Sequence, residues 1–256
     1  MNYKILGYQT MQRGYVLYGS GITAHVDRRI ATSSTLAAEL LLRSVSKVTH
    51  YAQGHLLDVG CGESPYQPLF EPYVSAYLRT DEAISRYNPK GIDFYSSALA
   101  LPIRDESFDT VLCTEVLEHL SDPFKGLHEL VRVTKHGGMI ILSAPFLYGV
   151  HESPCDYFRF TGSCLRAFAH KEKLEIIELT ERGGALAVMV NVFVKIAQAV
   201  LESKIFRFRV LRLLSKISGF LMVYVPQWFI LRLKKDILTH RFTLGHLVVL
   251  KKVSTC

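Results

Sequence analysis

Residues 55–66, HLLDVGCGESPY, pass from a short, mostly apolar run directly into two glycines flanking Cys61. A run of that length closed by turn residues reads as a buried strand, and Gly60 and Gly62 remove side chains where the chain must turn. Strand-like runs recur at 74–80, 108–113, 139–144 and 174–179, with helical stretches between several of them. The clearest helix opens at Asp122-Pro123, a cap followed by proline at the first helical position. It places Phe124, Leu127, Leu130 and Val131 on one face and is expected to stop at Gly137-Gly138. Another helix is read over 33–50. Strands alternating with helices predict an open parallel α/β sheet. FTLGHLVVLKK, 242–252, reads as a last strand of the same sheet, which makes the stretch before it an insertion. The expected division is an N-terminal helical or lid segment, 1–53, a sheet domain, 54–181 with 241–256, and a helical insertion, 182–240.

A chain of 256 residues can bury a full core without disulfides or metal. Its five cysteines, Cys61, Cys113, Cys155, Cys164 and Cys256, show neither CxxC nor zinc-ligand spacing, so a reducing, cytoplasmic setting is expected. The first residues lack the apolar core of a secretory signal. The whole net charge of +7 sits in 185–240, where nine Lys or Arg face Glu202 and Asp236. That segment is also the most apolar of the chain, which points to an anionic membrane surface, on its inner face, rather than to nucleic acid.

In an open α/β sheet, ligands lie at the carboxyl ends of strands, and the first strand-to-helix turn is where backbone approaches them. Gly60 and Gly62 occupy that turn, and a helix beginning near Ser64-Pro65 is expected to aim N–H groups at an anionic group. Asp81 ends the next strand, placed for the hydroxyls of a ribose. A dinucleotide would want G-x-G-x-x-G, but Pro65 stands where the third glycine belongs, so a nicotinamide oxidoreductase is disfavoured.

LLDVGCG, Asp81, LPIRDESFDTVLCTEVLEHLSDP and GGMIILSAPF, in that order over 55–145, resemble the class I S-adenosylmethionine-dependent methyltransferases. PFLYGVHESPCDYFRFT, 145–161, is similar to a bacterial subgroup of them. The resemblance implies a Rossmann-like seven-stranded methyltransferase sheet with an antiparallel last strand, and S-adenosyl-L-methionine as cofactor. It implies that Asp58, Gly60 and Gly62 meet the methionine part and Asp81 the ribose, with Cys61, Ala98 and Glu115 in the same site. Two positions depart from the pattern. Ser64 replaces the third glycine of GxGxG, and Ser97 stands where an acidic residue often meets the adenine amino group. A hydroxyl can accept that bond more weakly.

Methyl transfer needs an aligned nucleophile and, for a hydroxyl or protonated amine, a base. Glu115, Glu118 and His119 follow one strand; His151, Glu152, Asp156, Tyr157 and Arg159 follow the next. His151 and His119 are the catalytic candidates because imidazole titrates near neutrality. Tyr157 and Arg159 would hold an anionic group of the substrate, although a loop salt bridge from Arg159 to Asp156 or Glu152 is an equal alternative. Glu115-x-x-Glu118-His119 resembles a metal cluster of some methyltransferases, but no fourth protein ligand can be assigned, and the expectation is no metal.

In the insertion, the charge-free run Ile217–Leu231 is too short to span a bilayer as a helix. Upstream, Phe206, Val210, Leu213, Leu214 and Ile217 would share one helical face opposite Arg209, Arg212 and Lys216, and Trp228, Arg232, Lys234 and Lys235 follow. This suits an in-plane amphipathic helix, or else a helical subdomain packed internally or on a second subunit. The expected activity is methylation of an oxygen or nitrogen of a small or lipid-linked acceptor. The alternative is a membrane-associated scaffold that binds the cofactor without turnover.

Overall fold

The computed structural model of the chain describes residues 15–17, 23–25, 35–83, 91–202, 225–233 and 237–253. Short strands β1 (Tyr15–Leu17) and β2 (Thr23–His25) form an antiparallel ladder of their own. Helix α1 (Thr35–Val48) and a 3-10 turn (Thr49–Tyr51) lead into β3 (His55–Val59), followed by the one-turn helix α2 (Gln67–Phe70), β4 (Ala76–Asp81), β5 (Phe94–Tyr95) and β6 (Phe108–Thr114). A second 3-10 turn (Leu117–His119), α3 (Pro123–Val133) and β7 (Thr134–Pro145) come next, then α4 (Gly162–Lys171), β8 (Leu174–Glu181), α5 (Ala185–Glu202) and β9 (Gly245–Lys252). A further helix covers 225–232.

Seven strands form one sheet in the order β5-β4-β3-β6-β7-β9-β8. All neighbours are parallel except β9, which runs antiparallel to both β7 and β8. The expected fold is therefore present, last strand included. Gly245–Leu250 of β9 are all buried, as a strand enclosed by neighbours and covered on both faces must be. One face of the sheet packs Leu57, Val111, Cys113, Ile140, Leu142 and Val248 against Leu127 and Leu130 of α3 and Leu165 and Phe168 of α4. The other packs Leu56, Leu112, Ile141, Leu247 and Val249 against Leu41, Val45 and Val48 of α1 and Phe70 of α2.

α3 begins as its sequence dictates: the Asp122 carboxylate accepts the Lys125 N–H at 3.0 Å, with Pro123 at the first helical position. It ends at Val133, four residues before the expected glycine stop, because the Thr134 hydroxyl donates to Leu130 O at 2.6 Å and the chain turns at once into β7. β7 then runs through Gly137-Gly138 as strand.

α1 also meets the inserted segment. Leu36, Ala187 of α5, Ile230 and Leu244 form a third apolar cluster, and the Leu36 N–H donates to Gln227 Oε1 at 2.9 Å. The amphipathic helix expected over 206–217, together with Lys234 and Lys235, lies outside the described residues.

The seam between insertion and sheet is tight. Arg182 is 4% exposed and its Nη2 donates to Glu115 Oε1 at 2.9 Å and to Ala144 O at 3.2 Å. A Cβ at Gly245 would fall on that guanidinium and stand 2.6 Å from Ala144 O. Gly245→Ala should lower stability by about 1–3 kcal/mol, the usual overpacking cost. Gly149→Ala, where the nearest atom is the flexible end of Lys195 at 3.4 Å, should change stability by less than about 0.5 kcal/mol. Thermal denaturation of the two variants measures the difference.

Candidate active site

The strand order reverses direction between β3 and β6, and their carboxyl ends open a crevice there. β3 delivers the glycine turn into it. Thr80 O accepts both the Gly60 N–H, at 2.9 Å, and the Cys61 N–H, at 3.1 Å, which bends the chain over the end of β4. Gly60 (φ 67°) and Gly62 (φ 53°) both take the left-handed conformation, for different neighbours. A Cβ at Gly60 would strike the Val116 side chain, whereas one at Gly62 would have no protein atom within 4 Å. The first glycine thus serves internal packing, and the second faces open space. Ser64 (φ 51°) also adopts the left-handed region, so the residue replacing the third glycine keeps a backbone that glycine would enter without steric cost.

The helix expected near Ser64-Pro65 is not there. Residues 61–66 form turns, and α2 is one turn from Gln67. Instead of pointing outward, the Gly62 N–H donates to Asp81 Oδ2 at 2.8 Å, while Asp81 Oδ1 accepts the Glu82 N–H at 2.7 Å. The carboxylate assigned to a ribose therefore also organises the turn beside it. Ser97 Oγ donates to Glu82 Oε1 at 3.0 Å, and Ala98 is buried beneath. Glu82 was not singled out in the sequence; the signal was the Asp81-Glu82 pair at a strand end, whose second carboxylate reaches the position where Ser97 replaces an acid.

Asp58 is 2% exposed, and the Tyr77 hydroxyl donates to its Oδ2 at 2.6 Å. Burial pushes the Asp58 carboxyl up to about 7, against the lowering effect of the Tyr77 hydrogen bond. Burial likewise raises the Cys61 thiol to about 12, so it is no nucleophile near neutrality. Tyr77 sits one strand away from Asp58, a pairing that register alone creates.

Across the crevice, the chain after β6 carries Glu115 (φ 54°), whose Oε1 accepts from Ser143 Oγ and Arg182 Nη2, each at 2.9 Å. Arg182, sixty-seven residues away in sequence, is another residue the sequence did not flag. Two residues beyond Val116, Glu118 is fully buried, and burial, followed by the Glu115 charge, holds its carboxyl well above the usual range.

The chain after β7 folds back over this turn. Glu118 O accepts N–H groups from Tyr157 at 2.8 Å and Phe158 at 3.3 Å. His119 and His151 are thereby brought edge to face, ring centroids 4.8 Å apart. Desolvation lowers the His151 pKa, which favours the neutral imidazole, against the opposing pull of Asp156. Arg159 does not present a free fork to a substrate. It grips Asp156 through both terminal nitrogens at 2.6 and 2.7 Å and donates to the carbonyls of Tyr148, Gly149 and Phe158. The loop salt bridge is the reading the structure shows, because every donor of the guanidinium is spent on its own loop. Burial opposes ionisation of Asp156, but the Arg159 hydrogen bonds and the His151 N–H bring its carboxyl down to about 2. Tyr157 remains 52% exposed and accessible.

Residues 57–142 match the methyltransferase domain family model. An uncharacterized methyltransferase of Mycobacterium tuberculosis is 31% identical over 135 residues, which cover 46% of this chain and 52% of that protein. The chain thus spans about half the length of that relative. A SAM-dependent methyltransferase from Thermotoga maritima has the same fold, with TM-score 0.54 and 16% identity over 88% of this chain and 93% of that one. A (4+2)-cyclase shares it too, with TM-score 0.54 and 18% identity over 96% and 88%. The matched span carries the glycine turn and the strand-end carboxylates, so residues 57–142 are similar to a methyltransferase domain. The sheet around them has the Rossmann-like methyltransferase fold, with its last strand antiparallel.

The buried Asp58 sets a test that needs no ligand. Its folded pKa of about 7 lies above the ordinary carboxylate value, so its contribution to stability is complete below about pH 4 and is lost as pH rises through 7. Between pH 6 and 8 the parent should lose about 1.4 kcal/mol relative to Asp58→Asn. Chemical denaturation of both proteins at the two pH values reads this directly.

Proposed function

We propose that the chain binds S-adenosyl-L-methionine in the crevice between β3 and β6 and transfers its methyl group to an oxygen or nitrogen of a small or lipid-linked acceptor. The observation that carries this is the convergence at the carboxyl ends of β3 and β4 of an open glycine turn, the buried Asp58 carboxylate and the strand-end Asp81. The residues suit the nucleoside. Gly62 leaves room beside the backbone, Asp58 meets an ammonium group as an anion once its proton is displaced, and Asp81 accepts from ribose hydroxyls. Glu82, with Ser97 beside it, supplies the acceptor for an exocyclic amine that position 97 alone would offer weakly. When bound, the cofactor supplies an electrophilic methyl group on sulfonium. The chain then has to orient the acceptor and take up or displace its proton, and the Glu118, His119 and His151 cluster at the ends of β6 and β7 is the group placed to do so.

A scaffold that binds the nucleoside without turnover is the competing reading, favoured by the shared fold of the cyclase, since one sheet hosts more than one chemistry. Calorimetry and a methyl-transfer assay separate them. S-adenosylhomocysteine should bind the parent protein, and Asp81→Ala should weaken binding by roughly ten- to a hundredfold, as loss of charge-assisted hydrogen bonds implies. Absence of heat in the parent sinks both readings. Binding with no label transferred from methyl-labelled cofactor to any fraction of a lysate leaves the scaffold.

Support for a lipid-linked acceptor comes from the inserted helices. Met189, Val192, Phe193 and Ile196 follow the i, i+3, i+4, i+7 spacing on α5 and are 47–66% exposed. Val225, Trp228 and Phe229 are 50–57% exposed on the 225–232 helix, where Arg232 lies 4.2 Å over the Trp228 ring. No helix among the described residues is long and apolar enough to cross a membrane. Large exposed apolar side chains beside cations suit the surface of an anionic bilayer. The protein should float with vesicles containing anionic lipid at low salt, and Trp228→Ser with Phe229→Ser should leave it in the bottom fraction while it still binds S-adenosylhomocysteine.

A further inference from the structure

Glu118 is the least satisfied polar side chain near the crevice. It is 0% exposed, and neither carboxylate oxygen accepts a hydrogen bond. A buried carboxylate left so is expensive unless something positive completes it. What surrounds it are two imidazole nitrogens: His119 Nε2 lies 3.8 Å from Oε1 and His151 Nε2 3.9 Å.

The far side of each ring decides what those nitrogens are. His119 Nδ1 stands 2.6 Å from Cys155 O, which can only accept, so Nδ1 carries the proton. His151 Nδ1 faces Asp156 Oδ2 at 3.3 Å, outside hydrogen-bonding geometry but within reach of a carboxylate that Arg159 keeps ionised. With the protons on Nδ1, both Nε2 atoms turn lone pairs toward Glu118. Two lone pairs then converge on a buried carboxyl whose oxygens have no hydrogen-bond partner, and a cation between them would hold that carboxyl as the anion. An imidazole fixed from behind by a carbonyl or carboxylate is the usual support of a metal ligand.

We propose that Glu118, His119 and His151 bind a divalent transition-metal ion. Their ligand atoms all lie within 4.8 Å of one another. Ligands at about 2.1 Å from a tetrahedral ion are roughly 3.4 Å apart, so closure requires the carboxylate–imidazole distances to shrink by about 0.5 Å and the two imidazoles to approach each other by up to about 1.4 Å. Two imidazoles and one carboxylate favour Zn²⁺, Co²⁺ or Fe²⁺ over Mg²⁺ or Ca²⁺, which prefer oxygen. Three protein ligands leave a coordination position for a further oxygen, as in catalytic sites. Glu152 Oε2, 3.9 Å from His119 Nε2, flanks the cluster. Glu115, the first acid of the Glu-x-x-Glu-His run, is not a member, because it is paired with Arg182. His151, thirty-two residues after His119 in sequence, completes the triad in its place.

The role assigned to the ion rests on the methyl-transfer reading: it would ligate the acceptor oxygen and lower its pKa, the oxygen's proton passing to solvent as the new carbon–oxygen bond forms and the carbon–sulfur bond breaks. Binding itself does not depend on that reading. Full-length protein stripped by chelator and titrated with Co²⁺ should show visible d–d absorption saturating at one equivalent and abolished by Zn²⁺. His151→Gln and Glu118→Gln should each weaken Co²⁺ binding at least tenfold, and His128→Gln, which removes a surface imidazole paired with Glu172, should not. S-adenosylhomocysteine calorimetry on the same variants reports whether they remain folded and tests the methyl-transfer reading separately. If the parent shows no saturable absorption, or if folded His151→Gln binds Co²⁺ as the parent does, the metal site is wrong. A saturable site in a protein that ignores the nucleoside would keep the metal and remove the transferase.

Discussion

The active crevice hangs on a backbone acceptor. Thr80 O takes two N–H groups from the turn after β3, and that shared acceptor fixes the direction in which the turn leaves the sheet. Asp81, the next residue, then meets the Gly62 N–H. A second carbonyl does the same work on the opposite side: Glu118 O takes two N–H groups from the chain after β7. One anchor sets the glycine-turn side of the crevice, and the other sets the side that carries His119 and His151. Both use main-chain atoms, so the geometry depends on strand register more than on any particular side chain.

Polar groups are buried around these anchors with unequal compensation. Asp156 is buried and well served by Arg159, and its carboxyl stays ionised. Arg182 has Glu115 and Ala144 O. Asp58 has one hydroxyl and a raised pKa, and Glu118 has no hydrogen-bond donor on its oxygens. Asp156 and its arginine hold a loop together, whereas Asp58 and Glu118, with one hydroxyl and no donor respectively, stand beside the crevice. This is the pattern expected when a fold tolerates local cost where a ligand will be held.

Much of the fold could be read in the sequence because it rests on local signals. The strands read at 55–59 and 108–113 follow from short apolar runs, α3 from its Asp-Pro cap, and β9 from an apolar run placed after an insertion, while its antiparallel direction was implied only by the resemblance. The glycine turn was legible for the same reason. The sequence failed where register or a distant chain decides. Nothing in HLLDV says that Tyr77 will sit against Asp58, and nothing in TEVLEH says that Arg182 will claim Glu115 and leave Glu118 to His151. Arg159 was ambiguous because its two readings differ only in whether backbone carbonyls happen to lie nearby. The end of α3 was missed because a threonine hydroxyl, not a glycine, closes it.

Val116 packs where a side chain on Gly60 would otherwise be. The glycine bend and the segment that carries Glu118 and His119 are therefore in direct van der Waals contact. In a close-packed interior such a contact passes displacement on instead of absorbing it. Neither bend can then shift by more than a fraction of an ångström without meeting the other, which ties the position of the glycine turn to that of Glu118 and His119.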